Sequence, residues 1–140
     1  MELTVDLLTF SFEFNQYYMA IKNTILVVDD EDGLRTLVIN ELTRAGHIVE
    51  GASGGTQAIT LLRRNRYALA ILDIKMPDID GIEVLKFIHA NCPTTKAIML
   101  TGYTDLSNAM ECMKLGAKDF IDKPFNLLDL LSTVDRILKE

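Results

Sequence analysis

At 140 residues, 49% of them apolar, the chain is long enough for one domain with its own core, and its composition excludes a disordered polypeptide. A formal net charge of −6 argues against a surface that holds nucleic acid by electrostatics alone. No apolar run reaches the length of a membrane span and the first residues lack the basic flank of a signal peptide, so a cytoplasmic chain is expected.

Residues 1–22 hold five of the ten aromatic residues, namely Phe10, Phe12, Phe14, Tyr17 and Tyr18. That load opposes free solvation. The alternating phenylalanines suit an extended piece, whereas Leu7, Leu8, Met19 and Ile21 also suit a helix. Two expectations follow for this extension. It is an interaction segment that docks on the domain or on a second copy, or it is sequence upstream of a natural start at Met19.

From residue 23 to residue 140 a strand-then-helix rhythm repeats five times. The first strand is Thr24 to Asp29, followed by a helix with Leu34, Leu37, Val38 and Leu42 on one face and Asp32 as its N-cap. Gly46 ends that helix, and His47 to Ala52 form a second strand. A helix with Ala58, Leu61 and Leu62 inward leads to the third strand, Ala68 to Asp73, whose nearly unbroken apolar run predicts burial on both faces. Ile82, Leu85 and Ile88 mark the next helix, closed by Pro93. Lys96 to Thr101 form strand four, then Leu106, Ala109, Met110 and Met113 line a helix. Lys118 to Asp122 form strand five, and Leu127, Leu130, Leu131, Val134 and Leu138 line the last helix. The two cysteines, Cys92 and Cys112, lie in no metal-like spacing and are expected as reduced thiols.

This alternation predicts an α/β fold with a parallel sheet between two helical layers, joined by right-handed crossovers. Such sheets bind ligands at the carboxyl ends of their strands, where the strand order reverses. Chemistry-bearing residues gather at those ends here: Asp29 and Asp30 after strand one, Asp73 closing strand three, Thr101 closing strand four, and Lys123 after strand five. Three clustered carboxylates oppose one another's ionisation. Magnesium, which prefers carboxylate and water oxygens, relieves that repulsion and neutralises phosphoryl oxygens for transfer. Lys123 and Thr101 would hold the remaining phosphoryl oxygens, Gly102 would leave room for the group, and Asp73 would be the nucleophile that forms an acyl phosphate. Each feature alone is more simply a turn, a cap or a strand end. Their joint placement at the carboxyl ends is what points to a site.

The segments "ILVVDDEDG", "AILDIKMPDIDGIEVL", "AIMLTGY" and "GAKDFIDKPF" resemble, in order and separation, the motif blocks of the bacterial response regulator receiver domain. The likeness covers residues 23–140 and is of the chemotaxis-regulator type, with a weaker likeness to nitrogen-regulator receivers. It implies a flavodoxin-like, doubly wound sheet of order 2-1-3-4-5. It also implies that Asp73 accepts a phosphoryl group from a sensor histidine kinase, the domain catalysing its own phosphorylation and dephosphorylation. Asp30 and Asp73 would ligate Mg2+ together with the backbone carbonyl of Lys75, while Asp29 acts mainly through water. Lys123 would pair with the phosphoryl group, and a cis Lys123–Pro124 bond would place it. Thr101 and Phe120 would form the switch, moving the face made by the helix after strand four, strand five and the last helix. That face is also the expected homodimer contact. Lys75 and Tyr103, at the rim, are expected to set the lifetime of the phosphorylated form, with Tyr103 shielding it from water.

Other readings fit less well. A haloacid dehalogenase-like phosphatase wants a second acid two residues after the nucleophile, where Lys75 stands. A dinucleotide-binding fold wants glycines at the first strand–helix turn, which here is Asp29-Asp30-Glu31-Asp32. A phosphorylation-independent docking module usually lacks the acid pair, the acceptor or the lysine, and all are present. Kinase, input and effector are not written in the residues.

Overall fold

A computed structural model of the chain describes residues 6–22, 24–102 and 106–140. An N-terminal helix α1 (Leu7–Lys22) precedes β1 (Thr24–Val28), α2 (Asp32–Arg44), β2 (Ile48–Ala52), α3 (Gly55–Arg64), β3 (Leu69–Asp73), α4 (Gly81–Asn91), β4 (Lys96–Thr101), α5 (Leu106–Lys114), β5 (Asp119–Asp122) and α6 (Leu127–Leu138). Every strand pair is parallel, and the order is β2-β1-β3-β4-β5, the flavodoxin-like order expected.

The two-residue period of the strands sorts the helices onto two faces. Leu26, Val28, Ala70, Leu72, Ala97 and Met99 form one layer with Ala58 and Leu62 of α3, Ile82, Leu85 and Ile88 of α4, and Cys112 of α5. The intervening Ile25, Val27, Leu69, Ile71, Ile98 and Leu100 form the other with α2 and α6, through Val38, Leu42, Leu130, Val134 and Ile137. Central β3 is buried at all five positions, which is why its sequence is apolar rather than alternating. The chain leaves β1 in one direction to reach β2 and leaves β3 in the other to reach β4. A crevice therefore opens between the carboxyl ends of β1 and β3, with Asp29-Asp30 on one side and Asp73 on the other.

Four strand boundaries shift by one residue: β1 ends at Val28, β2 begins at Ile48, β3 begins at Leu69 and β5 begins at Asp119. Asp32 is not the N-cap of α2. Glu31 holds that position, and Asp32, in the first turn, pairs with Arg35 Nη2 at 2.7 Å. Leu37 is 47% exposed, because α2 turns Val38 and Leu42 squarely to the sheet and leaves their neighbour at the edge. On α5 the buried residue is Cys112, packed in the layer of Ala97, Met99 and Ala117, whereas Met110 and Met113 stand about half exposed. The helix is rotated by about one residue, roughly 100°, from the stripe its sequence suggests. The side chain of Leu106 lies outside the described residues. Residues 7–22 are helical, not extended, started by Asp6, which accepts the Leu8 N–H at 2.9 Å. Leu7, Leu8, Phe10, Phe12 and Phe14 of this helix are exposed. Both cysteines are free thiols. Among the described residues no helix is long and apolar enough to cross a membrane.

Candidate functional site

Asp29 leaves β1 with its N–H still donating to the sheet, to the Ala52 carbonyl at 3.1 Å. The residue is only 2% exposed, and both carboxylate oxygens are engaged. Oδ1 accepts the Glu31 N–H at 2.9 Å and Oδ2 accepts from Lys123 Nζ at 2.7 Å. Arg35 Nη1 donates to the Asp29 carbonyl at 2.8 Å, tying the turn after β1 to the first turns of α2. Asp30 is exposed at the mouth of the crevice. Asp73, 6% exposed, faces this pair across the crevice, and one carboxylate oxygen from each of Asp29, Asp30 and Asp73 lies within 4.8 Å of the others.

Crowding has an electrostatic consequence. Burial and the neighbouring Asp29 charge push the Asp73 carboxyl up from 3.8 to about 6, with Asp30 acting in the same direction. Lys123 and the Lys75 N–H, which bonds the Asp73 carboxylate, oppose the rise.

Lys123 is positioned by its backbone. Its N–H donates to the Thr101 carbonyl at 2.7 Å and the Lys123–Pro124 peptide is cis. Its ammonium rests on Asp29, with Asp73 Oδ2 farther away at 3.6 Å. Thr101 is buried at the end of β4, next to the strand that carries Asp73, since Leu100 pairs with Asp73 in the register. Lys75 is exposed on the loop after β3. Phe120 is half-buried and packs against the layer that contains Met99. Tyr103 lies outside the described residues. Gly102 is exposed, and a Cβ there would meet only Lys123 Cβ at 3.7 Å among the described residues.

Three residues that shape the site were not legible as such. Gly81 reads as a helix start, yet a Cβ there would strike the Asp73 carbonyl, so the glycine is what lets α4 begin directly on the end of β3. Its N–H donates to the Ile74 carbonyl at 2.8 Å. Arg35 carries no signal of its own in the sequence, and Glu31 reads as one acid among four. The Arg35 link to Asp29 is a through-space contact that its spacing along the helix could only suggest.

Clustered carboxylate oxygens, one of them on an acid that resists ionisation by itself, are the donor set of a hard divalent cation, and these residues fit magnesium. A cation there would offset the repulsion that raises the Asp73 pKa.

Residues 25–135 match the profile of the response regulator receiver domain. Among curated proteins, the regulatory protein AtoC of Escherichia coli is 34% identical over 121 residues, 86% of this chain and 26% of AtoC. The chain thus spans about a quarter of that relative's length. Among solved structures, a CheY-like receiver domain protein from Methanospirillum hungatei superposes with a TM-score of 0.82 at 34% identity, covering 84% of this chain and 94% of that one. The response regulator TrrA from Thermotoga maritima, solved in complex with Mg2+ and BeF, gives a TM-score of 0.75 at 34% identity, covering 82% of this chain and 98% of TrrA.

Proposed function

Because the chain belongs to the response regulator receiver domain family, we propose that it is the phosphoryl-accepting switch of a two-component system, charged at Asp73 by a histidine of a sensor kinase. The observation that carries this reading is the Asp73 carboxylate, buried at a strand end, close to the Asp29 and Asp30 oxygens and within reach of Lys123. Asp30, Asp73 and the Lys75 carbonyl would hold Mg2+, with Asp29 acting through water. A bound cation supplies charge neutralisation on the phosphoryl oxygens.

The residues of the chain do the rest. Asp73 attacks phosphorus as the carboxylate, so the ionised form is the reactive one. Its O–P bond forms as the donor's N–P bond breaks, and the kinase imidazole leaves and takes up a proton. Burial excludes bulk water from the back of the crevice while the mouth at Asp30 stays open to the donor. Lys123 moves its ammonium from Asp29 toward the new phosphoryl group, a short shift because Asp73 Oδ2 already lies 3.6 Å away. Thr101 turns its hydroxyl to the same group. The space it leaves admits the Phe120 ring, which lacks a hydroxyl to satisfy when buried. The face formed by α5, β5 and α6 then changes its packing and its partner, a homodimer contact or an effector domain.

The test is direct. Wild type and Asp73→Asn are incubated with magnesium and acetyl phosphate and their intact masses compared. Wild type is expected to gain one phosphoryl group that hydroxylamine removes, and Asp73→Asn to gain none. No gain by wild type, with magnesium and with a panel of kinases alike, would leave a docking module that does not need phosphorylation.

A further inference from the structure

The helix α3 starts at two glycines, Gly54 at the N-cap and Gly55 after it, so it has no side chain of its own there to accept its first N–H groups. The acceptor comes from another segment. Asp78, in the loop after β3, takes the Gly55 N–H on Oδ1 at 3.2 Å and the Thr56 N–H on Oδ2 at 2.9 Å. The approach explains both glycines: a Cβ at Gly54 would sit 2.9 Å from Asp78 Oδ1, and one at Gly55 would strike the carbonyl of Ile79. These hydrogen bonds, with one from the Thr56 side chain, hold the Asp78 carboxyl well below the usual carboxylate range.

The loop clamped in this way is the one that touches the acid cluster. Its Lys75 N–H bonds the Asp73 carboxylate. Its far end is fixed separately, by Asp80 accepting the Glu83 N–H at 2.9 Å and by the Gly81 N–H on the Ile74 carbonyl. Asp78 ties the stretch between these anchors to a different helix.

We infer that Asp78 is a positioning residue for the acid cluster: its clamp on Gly55 and Thr56 holds the Lys75 backbone against Asp73 and so sets the affinity for a divalent cation. The inference rests on the reading of Asp29, Asp30 and Asp73 as a cation site. Groups that orient metal ligands without touching the metal typically govern affinity by a factor of ten or more.

Calorimetric titration of magnesium chloride into the full chain tests it, alongside thermal melts without metal. Asp78→Ala is expected to bind magnesium roughly tenfold more weakly than wild type. Asp78→Asn, whose amide oxygen still accepts one N–H, should fall between them. If Asp78→Ala does not fold, Asp78→Asn and Gly54→Ala, which crowds the carboxylate from the other side, decide the question, and both should bind more weakly. Variants that lose thermal stability yet bind magnesium as wild type does would reduce Asp78 to a helix cap and overturn the inference alone. A wild type that takes no magnesium would instead overturn the cation-site reading, and the inference with it.

Discussion

With 6% of its surface exposed and two further carboxylates beside it, Asp73 ionises against both burial and charge, and its pKa stands at about 6 rather than 3.8. The sign of the consequence follows from linkage. A carboxyl whose pKa is higher in the folded chain than in the unfolded one favours folding when protonated, and that advantage disappears as pH rises through the interval from about 4 to about 6. Asp73→Asn should therefore stabilise the metal-free protein above about pH 6, by at most about 3 kcal/mol, and leave it unchanged below about pH 4. Denaturant melts of the two proteins at several pH values check this. Equal stability at every pH would mean that the crevice is wetter than its burial implies. The identity of Asp73 was legible because an acid closing an apolar strand has few structural reasons to be there. The resting place of Lys123 was not. Its ammonium sits on Asp29, a partner 94 residues away, and only the folded register of β5 beside β4 brings the two together.

Strands were easier to read than helix faces, for a physical reason. A buried parallel strand shows itself by composition alone, and β3 and β4 are apolar along nearly their whole length. A helix face must be inferred from period, and an error of one residue rotates it by about 100°. On α5, two methionines and a cysteine compete for the inward position, and the cysteine fits the shallow space beside Ala97 and Ala117. Glycines were the other gap, since sequence shows a missing side chain but not what would fill its place. Gly81 and Gly33 make a matched pair. A Cβ on Gly81 would strike the Asp73 carbonyl, whereas one on Gly33, in the first turn of α2, has nothing within 4 Å. Gly81→Ala should cost about 3 kcal/mol or more, because the obstacle is backbone and α4 must move away from β3. Gly33→Ala should instead stabilise by about 0.5 kcal/mol through helix propensity. Thermal unfolding of both variants decides it, and a harmless Gly81→Ala would show that the junction of β3 and α4 is looser than the contact between them indicates.

At the scale of the whole molecule, two titrating groups at different places in the sheet pull stability in opposite directions. His47 precedes β2, its buried Nδ1 has no hydrogen-bond partner among the described residues, and burial lowers its pKa below 6.5 despite the charge of Asp135. It folds best neutral, so its contribution is complete above about pH 6.5 and lost as pH falls through its depressed value. Asp73 folds best protonated, and its contribution is lost as pH rises toward about 6. Through these two groups the metal-free chain should accordingly lose stability as pH rises from about 4 to about 6 and regain some as pH rises toward about 6.5, which leaves a trough rather than an optimum at about pH 5–6. Magnesium changes one of these terms and not the other, because it competes with the proton on Asp73 and has no ligand near His47. At a concentration about a hundred times its dissociation constant near pH 7 it should add about 2.7 kcal/mol, roughly 10 °C in melting temperature for a chain of this size. At about pH 4.5 the protonated Asp73 should weaken binding by roughly thirtyfold, leaving under about 1 kcal/mol from the same magnesium concentration. Magnesium then offsets the Asp73 loss near neutrality, and His47→Gln should remove only the rise toward about pH 6.5 from both curves. Melts across this pH range, with and without magnesium, read all of these effects together. A magnesium gain that is the same at pH 4.5 and pH 7 would mean that the ion binds somewhere other than at Asp73.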